Sequence, residues 1–230
     1  ARESVELIGD SSGLFTSVNP EVTGDGGNLT VDTEQLIVRD GAQILANTFG
    51  EGNAGNLKIS ARESVELIGS SADNQFASAL LTSSEEGAIG NGGNLTVDTE
   101  QLIVRDGAQI GAGTLGKGDG GSLIVSARES VELIGDSSGL FTSVNPEVTG
   151  DGGNLTVDTE QLIVRDGAQI GAGTLGKGDG GSLIVSARES VELIGDSSGL
   201  FTSVNPEVTG DGGNLTVDTE QLIVRDGAQI

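Results

Sequence analysis

The sequence contains no cysteine, histidine, methionine, tryptophan or tyrosine. Without cysteine there is neither a disulfide framework nor a thiolate metal site. Without histidine there is no imidazole general base, no histidine-assisted nucleophile and no histidine-held metal. Basic residues are scarce: 11 Lys and Arg face 35 Asp and Glu, a formal net charge of −24. That balance leaves no basic footprint for a phosphate backbone, which excludes nucleic acid as a partner. No apolar run approaches the ~20 residues that span a bilayer as a helix. Five Phe are the only aromatics. Few aromatics with high net charge ordinarily signal disorder, but here Leu, Ile and Val recur at fixed positions with strand-like alternation.

What the chain has instead is repetition. Residues 92–150 reappear unchanged at 152–210, and 212–230 open a further copy. Self-similarity of this kind marks units that cannot bury an apolar face alone and rely on their neighbours. The sixty-residue unit is itself two half-units, GGNLTVDTEQLIVRDGAQI as at 92–110 and GGSLIVSARESVELIG as at 120–135. Aligned on the Leu after Gly-Gly-Asn or Gly-Gly-Ser, the anchors are Leu29, Leu57, Leu95, Leu123, Leu155, Leu183 and Leu215. Their spacings are 28, 38, 28, 32, 28 and 32 residues, the longest reflecting an insertion after Gly69.

The columns of this alignment read as strands. Two places past the anchor stand Val31, Ile59, Val97, Val125, Val157, Val185 and Val217, with mixed residues between. Apolar residues two apart, in β-branched segments broken by Gly, describe short strands with one buried face. Leu36 with Val38, or Val65 with Leu67, supply a second segment, and Ala42 with Ile44 a third. The expected fold is all-β: a parallel β-helix (β-solenoid) of roughly eight coils, about 28–38 residues each, with three short strands per coil. It forms a single segment, 1–230, in two-coil repeats at 1–60, 61–126, 127–186 and an incomplete 187–230, and the array is expected to continue in a longer parent.

Three further columns carry physical information. Asn28, Asn56, Asn94, Ser122, Asn154, Ser182 and Asn214 precede the anchors, and Asn and Ser in register read as a corner ladder. Five places past the anchor, Glu34, Arg62, Glu100, Arg128, Glu160, Arg188 and Glu220 alternate in sign. Stacked directly, they predict a continuous ion ladder, in which a one-coil slip sets Glu on Glu. The Gly clusters, such as 24–27 and 116–121, recur once per coil, not every nine residues as in calcium solenoids, and read as tight turns needing positive φ. Weak calcium sites at Asp25, Asp151 or Asp211 are the functional alternative. Every polar group recurs from repeat to repeat, whereas a catalytic site is a single asymmetric constellation, so the expectation is a non-enzyme with no catalytic, cofactor or metal residues.

The strings GGNLTVDTEQLIVRDGAQIGAGTLGKGDGGSL and SSGLFTSVNPEVTGDGGNLTV resemble the repeat region of filamentous-haemagglutinin-like exoproteins of two-partner secretion systems. The segments 106–110 (DGAQI) and 139–144 (GLFTSV) carry the resemblance, which covers essentially the whole chain. It implies a right-handed β-helical shaft, export to the surface of a Gram-negative bacterium, and a role in adhesion or aggregation. Self-association end-to-end or laterally follows as an expectation, with Ile37, Ile103, Ile124 and Ile184 as candidate contacts and scattered surface hydrophobes as their plainer reading. Glycan or divalent-cation binding along a repeated face is the alternative function. An ice-binding Thr array is broken, because Thr30, Thr96, Thr156 and Thr216 alternate with Lys58 or Ile124 and Ile184. Whether Phe15, Phe141 and Phe201 point in or out stays open at this stage.

Overall fold

A computed structural model describes residues 1–146, 148–203 and 209–230. In chain order its strands are β1 (Ser4–Ile8), β2 (Gly13–Val18), β3 (Leu29–Arg39), β4 (Gln43–Thr48) and β5 (Leu57–Ile68). There follow β6 (Ala79–Leu81), β7 (Leu95–Arg105), β8 (Gln109–Gly111), β9 (Leu123–Ile134) and β10 (Gly139–Phe141). The last are β11 (Leu155–Arg165), β12 (Gln169–Gly171), β13 (Leu183–Ile194), β14 (Gly199–Phe201) and β15 (Leu215–Arg225). Odd-numbered strands stack in chain order into one 8-stranded sheet and even-numbered strands into a 7-stranded sheet, all parallel. The fold is a parallel β-helix.

The columns read from sequence become vertical neighbours. Leu95 pairs with Leu57 on one side and Leu123 on the other, and Val97 with Ile59 and Val125. The anchor Leu and its partner two places on are fully buried in every central coil, as are Leu102, Val104, Ala108 and Ile110 and their equivalents. These aliphatic columns are the core, and each buried Leu or Val contributes about 1.5–3 kcal/mol relative to exposure. No aromatic side chain is needed to fill so narrow an interior.

Each coil delivers its three segments in a specific form. The first two run on as one strand of 11 or 12 residues, bent where the register shifts. The shift arises because the arginine half-unit carries one more residue: Thr99 pairs with Ala127 and Gln101 with Ser130, so Arg128 and Glu129 stand together opposite Glu100. At the bend, Thr99 Oγ1 donates to the Gln101 carbonyl, stapling the corner from inside. Ala127 fills the same buried place in the longer half-unit. The third segment forms the second sheet. Beyond it, bridges through Thr48, Ser84, Thr114, Val144 and Thr174 continue the stack.

The Gly clusters turn the chain back, though mostly not through positive φ. Gly55, Gly93, Gly121, Gly153, Gly181 and Gly213 stack directly, and a Cβ on any of them would overlap the carbonyl oxygen of the glycine one coil earlier. Close backbone approach, not dihedral freedom, fixes glycine in this column. The insertion after Gly69 departs and returns at one hydrogen bond, Ser78 N–H to the Gly69 carbonyl (2.9 Å). Residues 70–77 form a small antiparallel loop closed by Ser70 and Ala77, and Ala79 onward rejoins the regular coil. A 38-residue coil therefore stacks between 28-residue neighbours without disturbing either.

Candidate functional site

Two side-chain ladders line one corner. In the first, Asn28 Oδ1 accepts the Asn56 backbone N–H (2.9 Å), Asn56 Oδ1 that of Asn94 (2.9 Å), and Asn94 Oδ1 that of Ser122 (3.1 Å). This is the anticipated Asn/Ser ladder, carried by the Asn members. Sequence reading missed a second ladder, which is more continuous. Asp25, Asn53, Asn91, Asp119, Asp151 and Asp179 each accept the backbone N–H of the next member, up to Asp211, at 2.8–2.9 Å. The signal was available: Asp or Asn stands three residues before the first ladder in every coil. The calcium candidates Asp25, Asp151 and Asp211 belong to this column, in which Asp25 and Asp151 each commit one carboxylate oxygen, Oδ1, to a backbone donor and Asp211 donates its backbone N–H. Among the described residues no group of His, Cys, Asp or Glu is arranged to hold a metal ion.

The alternating charges do not form the anticipated continuous ladder. Arg62 pairs with Glu34 (3.4 Å), Arg128 with Glu100 (3.2 Å) and Arg188 with Glu160 (3.7 Å). Each arginine reaches toward the preceding coil, and among the described residues no ion pair joins it to the next glutamate. Its guanidinium extends further, so that Arg128 donates to the Arg62 carbonyl (3.1 Å) and Arg188 to the Arg128 carbonyl (3.2 Å). Glu129 stands beside Arg128 and also turns to the preceding coil, accepting from Gln101 Nε2 (2.7 Å).

The two sheets present unlike outer surfaces. The wide one carries Glu and Arg in every full-length strand. There Ile37 and Ile103 alternate with Glu66 and Glu132, while Ile124 and Ile184, each 44% exposed, stand between threonines. These four isoleucines are scattered and form no patch. The narrow sheet carries no Asp, Glu, Lys or Arg in any strand. Its outer column reads Phe15, Leu45, Leu81, Gly111, Phe141, Gly171, Phe201. All three phenylalanines of this column therefore point out: Phe15 is 55% exposed and the other two are half-buried.

Between them lie two equivalent notches. One, of about 270 Å³, has Gly111 and Gly113 as its floor and Leu81 and Phe141 as walls. The other, of about 280 Å³, has Gly171 and Gly173 as its floor and Phe141 and Phe201 as walls. Leu115 and Leu175 flank them, and Ser143 lines both. A separate cleft of about 580 Å³ lies where the 70–77 loop overhangs the narrow sheet, lined by Phe76, Gln43, Gln109, Asp106 and Asp136 among others. The loop is braced by Asp73: Ser71 Oγ donates to its carboxylate (2.6 Å) and so does the Gln75 backbone N–H (3.1 Å). These bonds, Ser71 first, hold the Asp73 carboxyl below its ordinary value.

Compared with known protein families, curated proteins and solved structures, the chain matches none.

Proposed function

We propose that the chain is a structural, non-catalytic shaft of an extracellular bacterial fibre or adhesin. One observation carries this reading: an unbroken 8-stranded parallel register built from repeated coils over a continuous aliphatic core. Such an object supplies reach and stiffness. Coils rise ~4.8 Å apart, so length scales with repeat number and costs no new design. The polar side chains support the same reading, because their partners are the backbone and side chains of neighbouring coils. The sequence resemblance to filamentous-haemagglutinin-like repeats supports a location at the surface of a Gram-negative cell. Electron microscopy of the purified parent protein tests the proposal. Straight rods of constant width, their length set by repeat number, are the expected result, and compact particles would overturn it. Antibody labelling of intact cells tests the location, and signal only after permeabilisation would exclude surface display.

A further inference from the structure

We infer that the uncharged face is a lateral self-association surface, on which phenylalanines of one copy seat in the glycine-floored notches of a second copy of this chain. The inference rests on the shaft reading and names the surface through which shafts would meet.

Charge selects the face. At −24, two copies repel over most of their surface. Among the described strands only those of the narrow sheet carry no ionisable residue, so there two copies set the fewest acids against each other. Glu85, which lines the first notch, accepts from Asn47 Nδ2 (2.6 Å) and Ser83 Oγ (2.7 Å).

Glycine marks the seats. Gly111 and Gly171 lie in strands, where glycine weakens pairing. Neither has positive φ. A Cβ on Gly171 would meet nothing nearer than Phe141 Cδ1, at 3.5 Å, and Leu45 occupies the same column in an earlier coil. A Cβ on Gly111 would press on Leu81 Cδ2 at 3.1 Å, the movable end of a side chain. The stack therefore tolerates a side chain at Gly171, and at Gly111 once Leu81 shifts, and the absence of one at both keeps the notches open. Gly113 is different, since its Cβ would press on the Ser143 carbonyl oxygen at 2.6 Å.

Period selects the occupant. From Gly111 to Phe201 ring and notch alternate coil by coil, so within that stretch each recurs every ~9.6 Å, twice the rung spacing. A second copy carries the same period, and a shift of one coil sets its rings over every notch in turn. A glycan or unrelated chain with another repeat loses register after a few contacts. The area predicts the strength. Seven rungs, two of six residues and five of three, give a face of roughly 400 Å², or roughly 800 Å² buried in a pair, below the size of stable specific interfaces. One segment of this length pairs weakly, and longer arrays pair more tightly because contacts add along the shaft.

Sedimentation velocity of the full chain over a concentration series, at low and high salt, tests this. The expected result is a reversible dimer that tightens with salt, because screening relieves repulsion around an uncharged contact. Gly171→Asp, and separately Phe141→Ser with Phe201→Ser, should raise the dimer Kd at least tenfold, while Ile184→Asp on the wide sheet leaves it unchanged. The inference fails if the chain stays monomeric throughout, if salt loosens the dimer, or if Ile184→Asp disrupts it as much as Gly171→Asp. It also fails if a monomeric chain binds insoluble polysaccharide and the notch variants release it, which would give the face to a glycan. A monomer that is still a rod by electron microscopy sinks the inference and spares the shaft; a compact particle sinks both.

Discussion

The wide and narrow sheets close around the same aliphatic core yet face water in opposite ways. The wide sheet is dressed in charge, with Glu34, Glu100 and Glu160 each met by an arginine from the following coil. The narrow sheet shows rings, glycines and uncharged polar groups. Inward positions barely differ between them, since both are columns of Leu, Ile, Val and Ala. The difference teaches that the interior sets the fold, while each outer surface is free to take a separate task. The wide sheet bears the ion pairs between coils, and the narrow one is the face proposed for contact between copies.

The largest expected effects fall on what the two faces share. Leu133→Ala removes a fully buried side chain from mid-stack and should cost about 2–5 kcal/mol. Denaturant unfolding followed by circular dichroism measures it, and a loss confined to the wide sheet would show that the faces are not one cooperative unit. Gly153→Ala forces a methyl group into the Gly121 carbonyl and should cost about 1–3 kcal/mol or more by overpacking. A neutral result would mean the glycine column has room to move apart.

Smaller effects separate the faces. Ser84 is buried with its hydroxyl unpartnered, in the column where Val144 also stands. Ser84→Ala should stabilise by about 1 kcal/mol, since leaving a buried polar group unsatisfied costs about that much or more. Arg128→Ala on the charged face should cost less than about 1 kcal/mol, and the loss should fade with added salt. A comparable variant on the narrow face, Gln169→Ala, should show no salt dependence, and finding one would erase the contrast. The smallest effect concerns the loop. Because the folded Asp73 carboxyl is lowered, its bracing is present above the ordinary carboxylate value and disappears as pH falls through the lowered one. Amide protection at residues 70–77, measured against the slower intrinsic exchange in acid, should fall while that of the sheets holds.

Much of this was legible in the sequence, and for a physical reason. Leu95 and Leu123 had to be neighbours because a solenoid makes equal positions vertical partners, and the structure pairs them. The bend was not legible. Counting five residues from the anchor aligns Glu100 with Arg128 correctly, but it hides Glu129, the added residue that stands with Arg128 opposite Glu100 and bonds Gln101. The Asp/Asn ladder through Asp119 was obscured because Asp and Asn in a Gly cluster read as turn chemistry or metal ligands, and only stacking shows where their oxygens point. The 70–77 loop looked like one long insertion because regular coil residues resume at Ala79 without a compositional break. The notches were hardest, since phenylalanine and glycine in the same outward column lie one coil apart and never adjoin in sequence.

The ladders at the corner have a direction. In every rung, an Asp or Asn oxygen of the earlier coil holds an N–H of the later one, and every arginine of the repeating column leans back toward the earlier coil. Cut between a glutamate coil and the arginine coil after it, the stack has two unlike faces: one of bare oxygens and glutamates, the other of unheld amides and unanswered guanidinium groups. At the alternate junctions only the amide ladder is parted. Any end-to-end contact that continued these ladders would run nose to tail, as bar magnets do, and would keep a single heading along its whole length.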